Sequence, residues 1–312
     1  MSVTPSRSGE FSLIDWIRRR SPASAAVPVG IGDDAALVRG SSPAGVLVTT
    51  DMLMDGVDFD LRTADPMLVG RKCLAVNLSD IAAMAGRPLA AFVSLALPRA
   101  HGRALAESLY RGLWPLAEEF GVAIAGGDTN SWDGPLVASV TLIGEPSAKG
   151  PVLRSGAKSG DLLLVTGALG GSIGGRHLTF TPRVREALLL HAAAELHALI
   201  DLSDGLASDV RHIAAESDAG VVIYADQLPI STDLNPSLPQ SERIRHALCD
   251  GEDFELLLAV PPDDARKLQA RTDLGVPLTI IGEVIDGNDC FLRDSQGNIR
   301  PLPTGGWEHA LG

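Results

Sequence analysis

Seven aspartates, Asp33, Asp34, Asp51, Asp80, Asp128, Asp201 and Asp204, stand beside Gly, Ser or Thr where apolar runs give out. Their settings are Gly30-Ile31-Gly32-Asp33-Asp34, Thr49-Thr50-Asp51, Asn77-Leu78-Ser79-Asp80, Gly126-Gly127-Asp128-Thr129 and Asp201-Leu202-Ser203-Asp204-Gly205. A carboxylate at the end of a buried strand or helix can point into a cleft instead of bulk water. If several converge they repel strongly: two like charges ~4 Å apart cost roughly 4 kcal/mol at an effective dielectric near 20. Bound cations relieve that repulsion, and all-oxygen ligands select hard ones such as Mg²⁺. The pattern points to a metal-dependent enzyme of phosphate chemistry.

Each motif also has a plainer reading. Gly30–Asp34 fits a simple turn, Asp204 fits a helix N-cap, and Gly251-Glu252-Asp253-Phe254-Glu255 fits a solvated acidic turn. Arg154, in a break with Ser155 and Gly156, is either an exposed loop residue or a bidentate clamp on phosphate. Gly167–Gly175 follows a strand, so its amides either meet phosphate or form an ordinary turn. Asp201 and Asp204 are spaced one helical turn apart and can face one ion from the start of a helix. The shared placement of the aspartates favours the functional reading. No G-x-x-x-x-G-K-[ST] loop and no protein-kinase signature occurs. His191 and His197, in a helical stretch, read as surface residues.

Stepping outward, the 312 residues suffice for two domains. The chain is 45% hydrophobic and has only 4% aromatic residues, which suits small-residue packing of helices on sheets. Lys and Arg number 26 against 39 Asp and Glu, a net charge of −13, which argues against a nucleic-acid surface. Cys73, Cys249 and Cys290 form no zinc spacing and fit a reduced, cytoplasmic setting. No apolar run reaches the ~20 residues that span a bilayer, and no signal peptide is expected.

The elements that must position the aspartates are legible as periodic runs. A short amphipathic helix is expected at Glu10–Arg20, and Val46–Val48 is a strand delivering Thr49-Thr50-Asp51 at its end. Pro66 opens a helix carrying Lys72, Asn77 and Asp80. Further strands are expected at 91–97, 122–125 (breaking at Gly126-Gly127) and 137–143, with a helix at 103–120. A domain boundary is placed near 147, giving residues 1–146 and 147–312. The second half offers helices at 182–197 and 205–216, strands at 162–165, 221–224, 254–260 and 278–281, and a loop at 229–239. Strands and helices without strict alternation imply an α+β fold: two α/β-layered domains, mixed sheets with helices packed on one face. Two short echoes, Asn77–Asp80 with Asp201–Asp204 and Thr141–Glu145 with Thr279–Glu283, are too brief to establish a repeat.

Taken in order, these segments resemble the thiamine-monophosphate kinase family, of the superfamily that includes aminoimidazole ribonucleotide synthetase. The collinear motifs are Gly9-Glu10-Phe11, Gly30–Asp34, Thr49–Asp51, Ala75–Met84, Gly126–Thr129, Arg154–Ala157, Ile200–Asp209, Gly251–Glu255 and Ile281-Gly282-Glu283. The resemblance implies ATP-dependent phosphorylation of thiamine monophosphate to thiamine diphosphate, several Mg²⁺ ions, and a homodimer built through the N-terminal domains. It implies Asp34, Thr49, Thr50, Asp51, Asp80, Asp128, Asp201 and Asp204 as metal ligands. Gly127, Asp128, Arg154 and Ser203 are implied as ATP contacts, and Asp58, Glu252 and Trp307 as contacts to the thiamine moiety. One departure stands out: Gly167–Gly175 runs almost directly into His177-Leu178-Thr179-Phe180-Thr181-Pro182-Arg183, where the family has an extra helical stretch. A smaller active-site rim is expected there.

The implied chemistry agrees with the residues. An attacking phosphate oxygen is already anionic near neutral pH, so positioning and charge screening, not a strong base, carry the transfer. Within the superfamily a selenophosphate synthetase would carry a reactive Cys or selenocysteine near the N-terminus, yet the first Cys here is Cys73. A silent metal- or nucleotide-binding module would have little reason to keep the aspartate set.

Overall fold

The computed structural model describes residues 14, 17–19, 24–40 and 45–307. Of the expected Glu10–Arg20 helix, residues 14 and 17–19 are helical, and the rest, with Gly9-Glu10-Phe11, lies outside the described residues. Strands β1 (Ala36–Val38), β2 (Val46–Met54), β3 (Gly86–Pro98), β4 (Ala123–Trp132) and β5 (Val137–Pro146) form one mixed sheet in the order β1-β2-β5-β3-β4. Helices α1 (Pro66–Ala83) and α2 (Gly102–Glu119) cover one face of it.

Asp65 caps α1 by accepting a hydrogen bond from the Met67 amide at 2.9 Å, and Pro66 fills the first helical position, where its missing N–H costs nothing. The helix is buried around almost its whole circumference, Lys72, Asn77 and Ser79 included. It packs so closely on α2 that Gly70 and Gly112 interlock: a Cβ on Gly70 would lie 1.9 Å from the Leu109 carbonyl oxygen, and one on Gly112 1.7 Å from that of Met67. Only glycine fits at either point.

Several strands are longer than the sequence suggests, and two of the extensions change where site residues lie. β2 continues to Met54, so Thr49-Thr50-Asp51 sits mid-strand, paired across β5 to Leu142, Thr141 and Val140, and not at the strand's end. β4 continues through Gly126-Gly127 to Trp132 beside the parallel β3, with Ala125 as an extra residue where the register shifts. The glycine pair allows the pairing instead of breaking it: Gly127 has φ 150°, and a Cβ there would meet the Val93 carbonyl oxygen at 1.8 Å.

The second sheet is seven-stranded, ordered β12-β11-β8-β10-β6-β9-β7, with β6 Leu162–Thr166, β7 Ala198–Asp201, β8 Gly220–Tyr224, β9 Leu256–Val260, β10 Leu278–Ile285, β11 Cys290–Arg293 and β12 Ile299–Pro301. Its helices are α3 (Val184–Ala193), α4 (Leu206–Ser217), α5 (Gln240–Cys249) and α6 (Pro262–Gln269). Short strands β7, β11 and β12 and helices α5 and α6 give too few turns of periodicity to stand out in sequence. Neighbouring residues of β6 serve two cores: Leu163 and Val165 pack with Ile200, Val210 and Ile213, whereas Leu164 joins Leu258, Leu190 and the α1 residues Leu74 and Ile81. That second cluster is continuous with the core of the first sheet, so α1 lies between the two halves.

Candidate active site

A cleft of about 770 Å³ opens between the two halves, lined from the first by Asp51, Asp58 and Asp80 and from the second by Asp201, Ser203, Asp204, Glu252 and Trp307. Carboxylate oxygens of Asp34, Asp80 and Asp201 all lie within 4.8 Å of one another. Four different elements deliver them: the turn before β1, the last turn of α1, the end of β7, and β2 for neighbouring Asp51. Thr49 donates its hydroxyl to Asp80, and Ser79 donates to Asp201 at 2.5 Å. These two bonds are far too few for the charge present. The Asp51 Oδ2 atom is buried without any partner. Burial, and then the neighbouring carboxylates Asp51, Asp201 and Asp34, push Asp80 well above the usual range. Burial and Asp34 do the same to Asp201. Asp51 is pushed up to about 6, by burial first and then by Asp58, against the bond from Asp80. A dense set of hard oxygen ligands with an orphaned acceptor fits a divalent cation such as Mg²⁺. Asn77, three residues before Asp80 on α1 and so on its side of the helix, holds a second orphaned acceptor, its amide oxygen.

The other expected site residues divide. Thr50 turns to the opposite face of the sheet from Thr49, where its hydroxyl meets that of Thr141 at 3.0 Å. Gly127 pairs with Val93, which pairs with Val140, which pairs with Asp51. Gly127 and Asp128 therefore sit three strands, roughly 14 Å, from Asp51 within one chain. Asp201 ends a strand and Asp204 lies in the following turn, so the pair does not share a helix start. The N-cap of α4 is Gly205, and Asp209 accepts from the amides of Asp204 and Gly205 at 3.2 and 3.0 Å. Arg154 is neither an exposed loop residue nor free for phosphate. Its fork is closed on Asp34 at 2.8 and 3.0 Å, while its amide donates to Asp33 at 2.7 Å.

The acidic motif after α5 is not a solvated turn. Asp253 and Glu255 are 2% and 3% exposed, and each has dedicated partners. Asp253 accepts from the Gly170 amide and from Arg176, Asp250 accepts from the Gly171 amide, and Glu255 accepts from Thr166 and the Arg183 fork. The Gly170 and Gly171 amides of the glycine-rich loop are thus taken by the protein's own carboxylates, and those of Gly167, Leu169, Gly174 and Gly175 by backbone carbonyls. The loop continues into two 3-10 turns, Ser172–Gly174 and Arg176–Leu178, where a longer helical stretch was noted as missing. Two histidine expectations are also corrected: His191 is buried on α3, and His197, beyond the helix, is held by Asp161 at 2.7 Å. Sequence reading missed His177 and Lys72 as neighbours of Glu252. Lys72 drew no attention because a lysine in an apolar helix normally snorkels out.

Family profiles agree with this architecture. One described as AIR synthase related protein, N-terminal domain, matches residues 32–145, and its C-terminal counterpart matches 158–295. The chain is 40% identical to the thiamine-monophosphate kinase of Rhodopirellula baltica, covering 96% of this chain and 97% of that one. It is 36% identical to the enzyme of that name from Escherichia coli, over 96% and 98%. Its backbone matches the solved complex of AaThiL with AMPPCP and TMP at a TM-score of 0.82 with 32% identity, over 97% of both chains. With both halves of the fold, the spacing of the motifs and whole-length similarity in agreement, the chain belongs to the thiamine-monophosphate kinase family of the AIR synthase-related proteins.

Proposed function

We propose that this protein uses ATP to phosphorylate thiamine monophosphate, yielding thiamine diphosphate by in-line transfer. The observation that carries the reading is the mutually repelling set Asp34, Asp51, Asp80 and Asp201, with its orphaned Asp51 oxygen, the last three of which line one cleft with Asp58, Glu252 and Trp307. The AaThiL complex, whose ligands are a nucleotide analogue and TMP, supports the same substrates.

Asp34, Thr49, Asp51, Asp80, Asp201 and Asp204 are the proposed Mg²⁺ ligands in the cleft, and Thr50 and Asp128, which lie away from that cluster within one chain, are proposed as ligands that go with the dimer. Bound Mg²⁺ would screen the charge of two approaching phosphates and align them. The protein supplies the frame: Ser79 and Thr49 fix the carboxylates of Asp201 and Asp80, and α1 and β2 hold them rigidly. Gly127, Asp128, Arg154 and Ser203 are the proposed ATP contacts. Neutralising Asp34 would loosen its hold on the Arg154 fork, which suits phosphate equally well. Asp58 and Glu252 offer carboxylates to the cationic thiazolium and aminopyrimidine, and Trp307 an indole face, an attraction of roughly 0.5–2 kcal/mol.

The reading includes a homodimer through the first half. Support comes from the open face of the first sheet, where Met52 and Phe92 are exposed, and from β4, exposed at nearly every position. Gly127 and Asp128 lie on that strand, so their service to a nucleotide goes with the dimer. We divide the chain at 146/147, with metal and nucleotide binding and dimerisation before it and completion of the nucleotide and substrate site after it. No helix among the described residues is long and apolar enough to cross a membrane, and we assign the protein to the cytoplasm.

The test is ATP consumption across a panel of phosphorylated acceptors, with and without Mg²⁺. Mg²⁺-dependent turnover on thiamine monophosphate supports the reading. Turnover only on another acceptor, or none on any, overturns it.

A further inference from the structure

Lys72 is 0% exposed, and it does not line the cleft. Its ammonium nevertheless sits directly behind three residues that do. It donates to the Asp58 carbonyl oxygen at 2.8 Å and to Glu252 Oε1 at 2.5 Å, and lies 3.0 Å from His177 Nδ1. The same His177 nitrogen is 2.9 Å from Glu252 Oε2. Nδ1 can serve one of these partners at a time: with a proton it donates to Glu252, and without one it accepts from Lys72. With the proton in place both oxygens of Glu252 have a donor, and without it Oε1 keeps the Lys72 ammonium. Lys72 and Asp58 come from the first half of the molecule, His177 and Glu252 from the second.

Glu252 is held in an unusual way. Its φ is 53°, in the left-handed region, and its amide donates to the Ser203 carbonyl at 2.6 Å. Its side chain is 22% exposed, against 0% for Lys72, so the carboxylate looks into the cleft while the ammonium backs it. Burial opposes its charge, but His177 and Lys72 outweigh burial and lower its pKa, keeping it anionic. Neutralising a buried carboxylate is a poor reason by itself to bury a lysine, because well-packed apolar groups do as well or better for stability. An ammonium placed to face three wall residues at once does something an apolar group cannot: it fixes where a carboxylate points.

We propose that Lys72 is a positioning residue for the acceptor substrate, orienting Glu252 across the domain junction so that the acceptor's cationic ring meets a carboxylate already in place. The inference rests on the functional reading above and adds a residue to it. Lys72 acts through Glu252, so its removal should weaken acceptor binding and spare ATP.

The test is a double-mutant cycle read by calorimetric binding of thiamine monophosphate and, separately, of AMPPCP with Mg²⁺. Lys72→Met is expected to weaken thiamine monophosphate binding at least ~tenfold, the scale of losing a charge-assisted hydrogen bond. AMPPCP affinity should stay within about twofold, the limit of additivity for uncoupled sites. In the Glu252→Gln background the same substitution should add nothing. Equal losses for both ligands, no loss for either, or a further full loss on top of Glu252→Gln would overturn the proposal. Should Lys72→Met fail to fold because it strands a buried carboxylate, the double variant removes both charges, and its comparison with Glu252→Gln still decides. A wild-type protein that binds AMPPCP but not thiamine monophosphate would instead sink the functional reading.

Discussion

Two groups of carboxylates in this molecule are built on opposite plans. Asp34, Asp51, Asp80 and Asp201 share one arginine and two hydroxyls, and one oxygen of Asp51 has no partner at all. Asp250, Asp253 and Glu255 are as acidic in sequence, yet each is matched to an amide or an arginine. The second group completes itself and pins the glycine-rich loop. The first is left in debt to something outside the chain. Unmet demand, not acidity, separates the site that binds from the site that builds.

The sharpest way to break the comparison is to remove one member of each group. Asp51→Asn and Asp201→Asn should each lower turnover on the order of a thousandfold, as loss of a transition-state charge contact does. Melting without Mg²⁺ should stay at or above wild type, since a repulsion is relieved. Near-normal turnover at limiting Mg²⁺ would erase the distinction. Glu255→Gln should behave in reverse: urea titration is expected to show a loss of about 3 kcal/mol, the usual cost of stranding one partner of a buried pair. Its KM values should stay close to wild type.

A smaller effect tests the electrostatics directly. Asp51 is lifted from 3.8 to about 6, so the folded protein holds a proton that the unfolded chain gives up. Stability from that proton is present below the unfolded value and is lost as pH rises through about 6. In Mg²⁺-free buffer, Asp51→Asn should therefore gain on wild type in melting temperature as pH climbs through that window. Mg²⁺ should close the gap. A gap that ignores both pH and Mg²⁺ would mean that the cluster is not under charge stress.

The aspartates and α1 were legible because their signals are local: Pro66 after Asp65, glycine or serine beside each acid, and long apolar runs. What stayed hidden depends on distant partners. Asp253 and Glu255 look like surface acids until Arg176 and Arg183 arrive from some seventy residues away. Lys72 looks like an exposed stem until the second half closes over it. The extent of β2 and β4 also escaped, since neither Asp51 nor Gly127 reads as mid-strand without the neighbouring strands. Of the two echoes, Thr141–Glu145 and Thr279–Glu283 both lie in strands, whereas Asp80 belongs to a helix and Asp204 to a turn.

Helix α1 carries Lys72 behind the proposed acceptor pocket and Asp80 in the aspartate cluster proposed to hold metal, eight residues apart on one unbroken rod. At 1.5 Å per residue that fixes an axial offset of about 12 Å between the two. On the proposed reading, the span between the ring that is recognised and the phosphate that reacts is set by the hydrogen-bonded helix, not by a loop that can stretch. The molecule carries its own ruler. A single-residue insertion between Lys72 and Asp80 would both lengthen it and turn one end by about 100°. That substrate length would then be read wrongly at both ends.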